Sequence, residues 1–219
     1  MRKVNKELIC TMLATSLLGL VALARQPAPS TSDLRGKDPL GAAMRTLGVH
    51  TMILVESQAV DEMPLWSPDS RFVAANVEGK WYKFDTWAIT ALEPAKWHGD
   101  EIGAVRDDLR SNATVGQVKK WKSKSQSNPR EAISRSGIKV QLTQRQEDLS
   151  TSFVISKGSQ KKTLWASGLE NCFSPVFSPN EKYVAFICEL NGVFVTDIEA
   201  ALREPFDTLT MIQTRGVAP

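Results

Sequence analysis

The chain has 219 residues, with 27 Lys and Arg against 24 Asp and Glu, two His and three Cys. A net charge of +3 argues against a chain organised around a nucleic-acid-binding surface. Only His50 and His98 supply imidazoles, with no H-E-x-x-H and no Cys/His pair at metal spacing, which argues against a zinc centre. Each reads as an ordinary strand-end or loop residue.

Residues 1–24 read as a secretory signal. Arg2, Lys3 and Lys6 make a basic start, Leu8 to Ala24 is an apolar run, and Ala22-Leu23-Ala24 is an A-x-A cleavage site ahead of Arg25. The rival reading is an uncleaved anchor. The run is at the short limit for a span, however, and Thr11, Thr15, Ser16 and Gly19 interrupt it. Cys10 lies too early to be a lipoprotein acylation site. Cleavage removes three basic residues and one acid, so most of the positive excess belongs to this segment. The expectation is an exported chain, periplasmic or secreted, without stable membrane insertion after cleavage.

Residues 25–48 form a lead-in, Pro/Ser-rich at its start and expected to be flexible. A first β unit follows over 49–98: HTMILVES (50–57) reads as a strand, then residues 61–85, DEMPLWSPDSRFVAANVEGKWYKFD, read as strand, turn, strand, turn, strand. TWAITAL (86–92) is expected to add the outer strand of that unit.

Residues 99–137 are polar, with a basic core from Lys119 to Arg130. Lys119, Lys120, Lys122 and Lys124 with Trp121 make a candidate contact patch for an anionic partner, the indole serving as anchor. The plain alternative is a solvated loop or a short exposed helix. From 138 to 219 the β pattern returns. KVQLTQR, SFVISK and KKTLWAS alternate between short polar turns and predict a middle unit. Residues 172–197, CFSPVFSPNEKYVAFICELNGVFVTD, then repeat the layout of 61–85, and DTLTMIQT (207–214) is expected as a last strand.

The two copies match residue type by residue type. Pro64 corresponds to Pro175, Trp66-Ser67-Pro68-Asp69 to Phe177-Ser178-Pro179-Asn180, Arg71 to Lys182 and Asp85 to Asp197. The Ser accepts backbone hydrogen bonds at the turn entry, Pro presets φ, and Asp or Asn tolerates the tight geometry that follows. The run after the turn is apolar on both alternating faces, as in a strand whose sheet is covered on both sides. This pattern resembles the TolB-type β-propeller repeat, over about fifty residues in two pieces. The resemblance implies a mainly β fold, an incomplete propeller-like array of two to three four-stranded antiparallel blades with about twelve strands. The family's Gly is replaced by Ser70 and Glu181, and a non-Gly residue in a left-handed conformation costs about 1–2 kcal/mol, so a different closure of the turn is expected.

A turn centred on Asn180 sets Phe177 opposite Tyr183 and Cys172 opposite Cys188. The two Cys are then either a disulfide of an oxidising compartment or two reduced, buried thiols. Asp61, Glu62, Asp85 and Asp197 stand beside repeat turns without a D-x-D-x-D-G calcium loop. No G-x-S-x-G elbow accompanies the repeats, so neither catalytic residues nor a cofactor are expected. The functional expectation is an exported, non-catalytic binding or adaptor protein of the cell envelope. It would take a protein partner, or itself, through open blade edges. The alternative is a small-molecule or glycan module using Trp66, Trp81, Trp87, Trp97 and Trp165; the propeller part of a serine-peptidase-like system ranks below both.

Overall fold

The computed structural model describes residues 38–57, 59–89, 98–100, 103–105, 109–121, 129–146, 150–189 and 192–205. The signal segment at 1–24, the strand expected at 207–214, Trp97, Lys122 and Lys124 lie outside the described residues.

The described end of the lead-in is a helix rather than a flexible stretch. In α1 (Pro39–Leu47), the Asp38 side chain caps by accepting from the Gly41 amide at 3.2 Å, and Pro occupies the first turn. Gly48 stops the helix in a left-handed conformation, φ 69°, its amide returning to Arg45 O. Leu40, Ala43 and Met44 are buried, so α1 belongs to the core. β1 (Thr51–Val55) follows, buried along its whole length.

The first repeat forms β2 (Val60–Trp66), β3 (Phe72–Val77) and β4 (Lys80–Asp85), paired antiparallel in sequence order. The expected outer strand at 86–92 does not form over its described part. Asp85 Oδ1 accepts from the Trp87 amide at 3.0 Å, and Thr86 donates to Arg71 O through its amide and its hydroxyl. That turn ends the ladder, and the fourth strand comes from further on. β5 (His98–Asp100) and β6 (Gly103–Val105) pair with each other, and β7 (Arg110–Asn112) pairs with β4. The polar stretch 99–137 thus contributes strands and one helix, α2 (Val115–Trp121).

The middle unit is a four-stranded antiparallel meander: the three expected strands are β9 (Lys139–Gln144), β10 (Ser150–Lys157) and β11 (Gln160–Glu170), and β8 (Glu131–Ile133) joins them from the stretch expected as a polar loop. The second repeat gives β12 (Cys172–Phe177), β13 (Tyr183–Cys188) and β14 (Gly192–Asp197), followed by α3 (Ile198–Arg203). The described residues hold fourteen strands in three sheets, none of them closed on itself.

β1 joins the sheet of the second repeat, although it precedes the first. The order is β12-β13-β14-β1-β6-β5, with β1 antiparallel to β14. The reason is hydrophobic coverage. TMILV is apolar on both faces and needs a sheet covered on both sides. This sheet is: one face packs with α1 and the β2–β3–β4 sheet through Met52, Leu54, Ala185, Ile187, Val193 and Val195. The other packs with the β8–β11 sheet and α3 through Ile53, Val184, Phe186, Phe194 and Ile198. Phe186 lies 5.4 Å from Phe153 and 5.5 Å from Phe194 between ring centroids. Each sheet begins at its inner strand (β2, β8 or β12), and β12 touches both of the others.

Candidate functional site

The two predicted turns have the same hydrogen-bond pattern. Ser67 Oγ donates to Asp69 Oδ1 at 2.6 Å and accepts from the Phe72 amide at 2.8 Å. Ser178 Oγ donates to Asn180 Oδ1 at 2.6 Å and accepts from the Tyr183 amide at 3.0 Å. Asp69 and Asn180 each accept one further amide, from Arg71 at 3.1 Å and Lys182 at 3.2 Å. The expectation of a different closure does not hold: Ser70 and Glu181 take the left-handed position themselves, at φ 61° and 60°.

A third copy of the turn, not recognised in the sequence, joins β8 to β9. Ser134 Oγ lies 3.0 Å from Ser136 Oγ and accepts from the Ile138 amide at 3.1 Å, and Gly137 holds φ 84°. It is one residue shorter and lacks Pro, which hides it. The legible signal was Ser134-x-Ser136-Gly137, with Gly at the position that Ser70 and Glu181 hold in the other two turns.

Ser70 and Glu181 explain how the turns are held together. Ser70 Oγ accepts from the Asn180 amide at 3.0 Å, joining the first turn to the second. The Glu181 carboxylate accepts from the Arg135 and Ser136 amides at 2.9 and 3.2 Å, joining the second turn to the third. Hydrogen bonds from Ser136, then from Ser134 and Arg135, hold the Glu181 carboxyl below the usual carboxylate range. A net hydrogen bond contributes about 0.5–1.5 kcal/mol, comparable to the left-handed strain of one residue. Glycine would relieve the strain but remove the link.

The inner strands are tied in the same way. Pro64 and Pro175 both sit in β-bulges, where the register shifts between Glu62 and Leu65 and between Phe173 and Val176. Pro has no amide to give a ladder, so a bulge accommodates it. The bulge also corrects the expected register. Phe177 faces Val184 rather than Tyr183, and the added residue brings Cys172 back opposite Cys188. Those two cysteines form a disulfide, both buried. Trp66 donates its indole N–H to Val176 O at 3.1 Å, and its ring stacks on Tyr183 with centroids 6.2 Å apart.

Around these turns the ends of β2, β8 and β12 enclose an open cleft of about 420 Å³. Leu65 and Trp66 come from β2, Ala132 and Ile133 from β8, and Val176 and Phe177 from β12. Pro68 and Pro179 line it from the turns, as do Arg135 and Glu181; Lys120 and Trp121 come from α2. Ile133 is 65% exposed here, far more than an aliphatic side chain in a packed sheet.

The candidate patch divides on folding. Lys120 faces the cleft and Lys119 is exposed outside its wall. Trp121 is half-buried and stacks on Phe72 with centroids 6.2 Å apart and planes 11° apart, closing α2 over the sheet together with Val118. Among the described residues the tryptophans do not gather into one concave cluster. Trp66 is buried, Trp81 packs under α2, Trp87 lies under Arg71, and Trp165 stands on the β8–β11 sheet beneath Arg145. His50 is buried away from the cleft, its Nδ1 3.2 Å from Thr51 Oγ1 and its Nε2 3.8 Å from Glu204. Among the described residues no three His, Cys, Asp or Glu side chains converge on a metal position, and no helix is long and apolar enough to cross a membrane. No family model, curated protein or solved structure matches the chain.

Proposed function

We propose that the chain is an exported, non-catalytic binding protein of the cell envelope, which holds a protein partner where β2, β8 and β12 converge. The observation that carries this reading is the cleft itself: an open, largely apolar recess framed by three hydrogen-bonded turns, with Ile133 left exposed in its wall. The three sheets, each growing outward from an inner strand, support its kinship with a TolB-like propeller, here a three-bladed arc whose inner strands converge on the cleft. The Cys172–Cys188 disulfide supports an oxidising compartment and so agrees with a cleaved signal at 1–24.

The test places a photo-cross-linking amino acid at Ile133 and, as a control, at Thr143 on the exposed face of the β8–β11 sheet. In intact cells the Ile133 probe yields a distinct adduct that the Thr143 probe does not. Identical adducts from both positions, or none from Ile133, would remove the cleft from consideration. Fractionation of the same cells places the adduct outside the cytoplasm; a cytoplasmic, full-length chain would end the exported reading.

A further inference from the structure

Resting on that reading of the cleft, we infer that its occupant is an extended, acidic segment of a partner protein, laid along the free edge of β8. The strand ends its sheet, with β9 on one side only. Arg130 O accepts from the Leu142 amide and the Ser134 amide donates to Ile138 O, so the even-numbered peptide groups serve the β9 side. By the alternation of an antiparallel ladder, the peptide groups of Glu131 and Ile133 face away from β9. An unpaired strand edge is a template for an added strand. β12 offers less: Val176 O already accepts from Trp66, and the Ser174 amide donates to Pro129 O at 2.5 Å. That last bond also holds the chain just before β8, so the edge available on β8 is the one formed by Glu131 and Ile133.

Charge sets the chemistry of that strand. Lys120 and Arg135 line the cleft, and among the described residues neither side chain is in an ion pair. The one carboxylate in the wall, Glu181, is held by the amides of Arg135 and Ser136. In the lining, Lys120 and Arg135 therefore outnumber Glu181, beside the apolar Leu65, Phe177, Ile133 and Trp121. A strand alternating carboxylates with aliphatic or aromatic residues satisfies both features, since its successive side chains point to opposite faces. A second copy of this chain fits less well, because the cleft it would bring carries the same excess of cations.

The probe is a fluorescein-labelled synthetic hexapeptide alternating glutamate with valine and phenylalanine, and the protein is the oxidised mature chain. Fluorescence anisotropy is expected to show saturable binding, accompanied by a change in tryptophan emission from Trp66 and Trp121. The lysine-for-glutamate counterpart binds at least about tenfold more weakly, and raising salt from about 0.05 to about 0.5 M weakens the acidic peptide in the same sense. Arg135→Glu lowers affinity about tenfold or more. Ile133→Pro removes the free-edge amide without touching the β9 ladder and is expected to abolish binding; an unchanged melting curve shows that the sheet persists. Thr143→Ala leaves affinity unchanged. Equal binding of the lysine peptide overturns the inference, as does Ile133→Pro binding at wild-type strength. Competition by an oligouronate without any peptide binding overturns it in favour of a glycan, and loss of self-association in Arg135→Glu without peptide binding overturns it in favour of a second copy. If Ile133 cross-links a partner in cells while the acidic peptide fails, the cleft stands and only the acidic strand falls.

Discussion

The two halves of the repeat carry the same turn in different surroundings. In the first copy Arg71 forks onto Asp85, Nε to Oδ1 at 3.0 Å and Nη2 to Oδ2 at 2.6 Å, beside the aromatic rings of Phe72 and Trp87. In the second, the corresponding Asp197 turns to cap α3, accepting from the Ala200 amide at 3.0 Å. Lys182 reaches toward Asp38, which also accepts from the buried Tyr183 hydroxyl. The turn networks nevertheless agree to within a few tenths of an ångström. A turn closed by its own side chains keeps its shape in either setting. The residues just outside it take whichever partners the neighbouring layers present.

The largest expected difference between the copies lies in their second turns. A Cβ at Gly192 would sit 1.9 Å from Val55 O, backbone against backbone, at φ 118°. At Gly79, φ 74°, it would meet nothing within 4 Å. Gly192→Ala is expected to destabilise by about 3 kcal/mol or more, or to prevent folding, since strain and overlap combine. Gly79→Ala costs about 1 kcal/mol, from conformation alone. Urea denaturation of both variants checks this; equal losses would mean that β1 does not close against β14.

Next in size is the disulfide, which only the second copy has. Replacing Cys172 and Cys188 by Ser is expected to lower stability by about 2–4 kcal/mol, read as a drop in melting temperature that dithiothreitol reproduces in the parent chain. Hydrogen exchange sharpens the comparison: protection falls first in β12 and β13, whereas a uniform fall would make the bridge a global clamp.

Smaller and equal effects are expected at the turn serines. Ser67→Ala and Ser178→Ala each remove one donated and one accepted bond, about 1–2 kcal/mol apiece. A difference beyond about 1 kcal/mol in calorimetry would show that burial, rather than the shared network, dominates.

The smallest effects are electrostatic and of opposite sign. Glu181 is held below the ordinary carboxylate range by Ser136 and its neighbours, so the folded state favours its charged form. Its contribution is complete above the ordinary range and is lost as pH falls through the lowered value. Burial raises Asp197, so the folded state favours its protonated form; its contribution falls as pH rises from the ordinary carboxylate value through the raised one. Asn caps a helix about as well as Asp. Asp197→Asn is thus expected to be neutral or to gain under about 1 kcal/mol at pH 7, with the gain disappearing in melts near pH 4. A loss at pH 7 would mean that the charge itself matters to α3.

The strand–turn–strand units, three strands of the middle meander and the placing of Cys172 opposite Cys188 were legible in the sequence, because each depends on periodicity and turn chemistry within one hairpin; whether the two sulfurs bond was not. Alternation sets the faces of β9 and β10, and Ser-Pro-Asp chemistry sets the turns. The α1 signals were present too, in Asp38, Pro39 and Gly48, though the Pro/Ser run ahead of them concealed them. The cleft was not legible. Its walls come from β2, β8, β12 and α2, and no local pattern records that their ends meet. The third turn stayed hidden because Ser134–Gly137 keeps the hydrogen bonds of the motif without its proline or its spacing.

What the amino-acid order determined by itself was therefore local: periodicity, turn geometry and the apolar character of both faces in β1, β13 and β14. Which sheet received β1 was a tertiary decision. Beside β14 both faces of TMILV are shielded from water, Met52 and Leu54 packing in one core and Ile53 in the other. The roles of Ser70 and Glu181 were decided the same way. In sequence they are misfits at a glycine position; in the fold their side chains hydrogen-bond neighbouring turns, an interaction that exists only once three separate hairpins lie side by side.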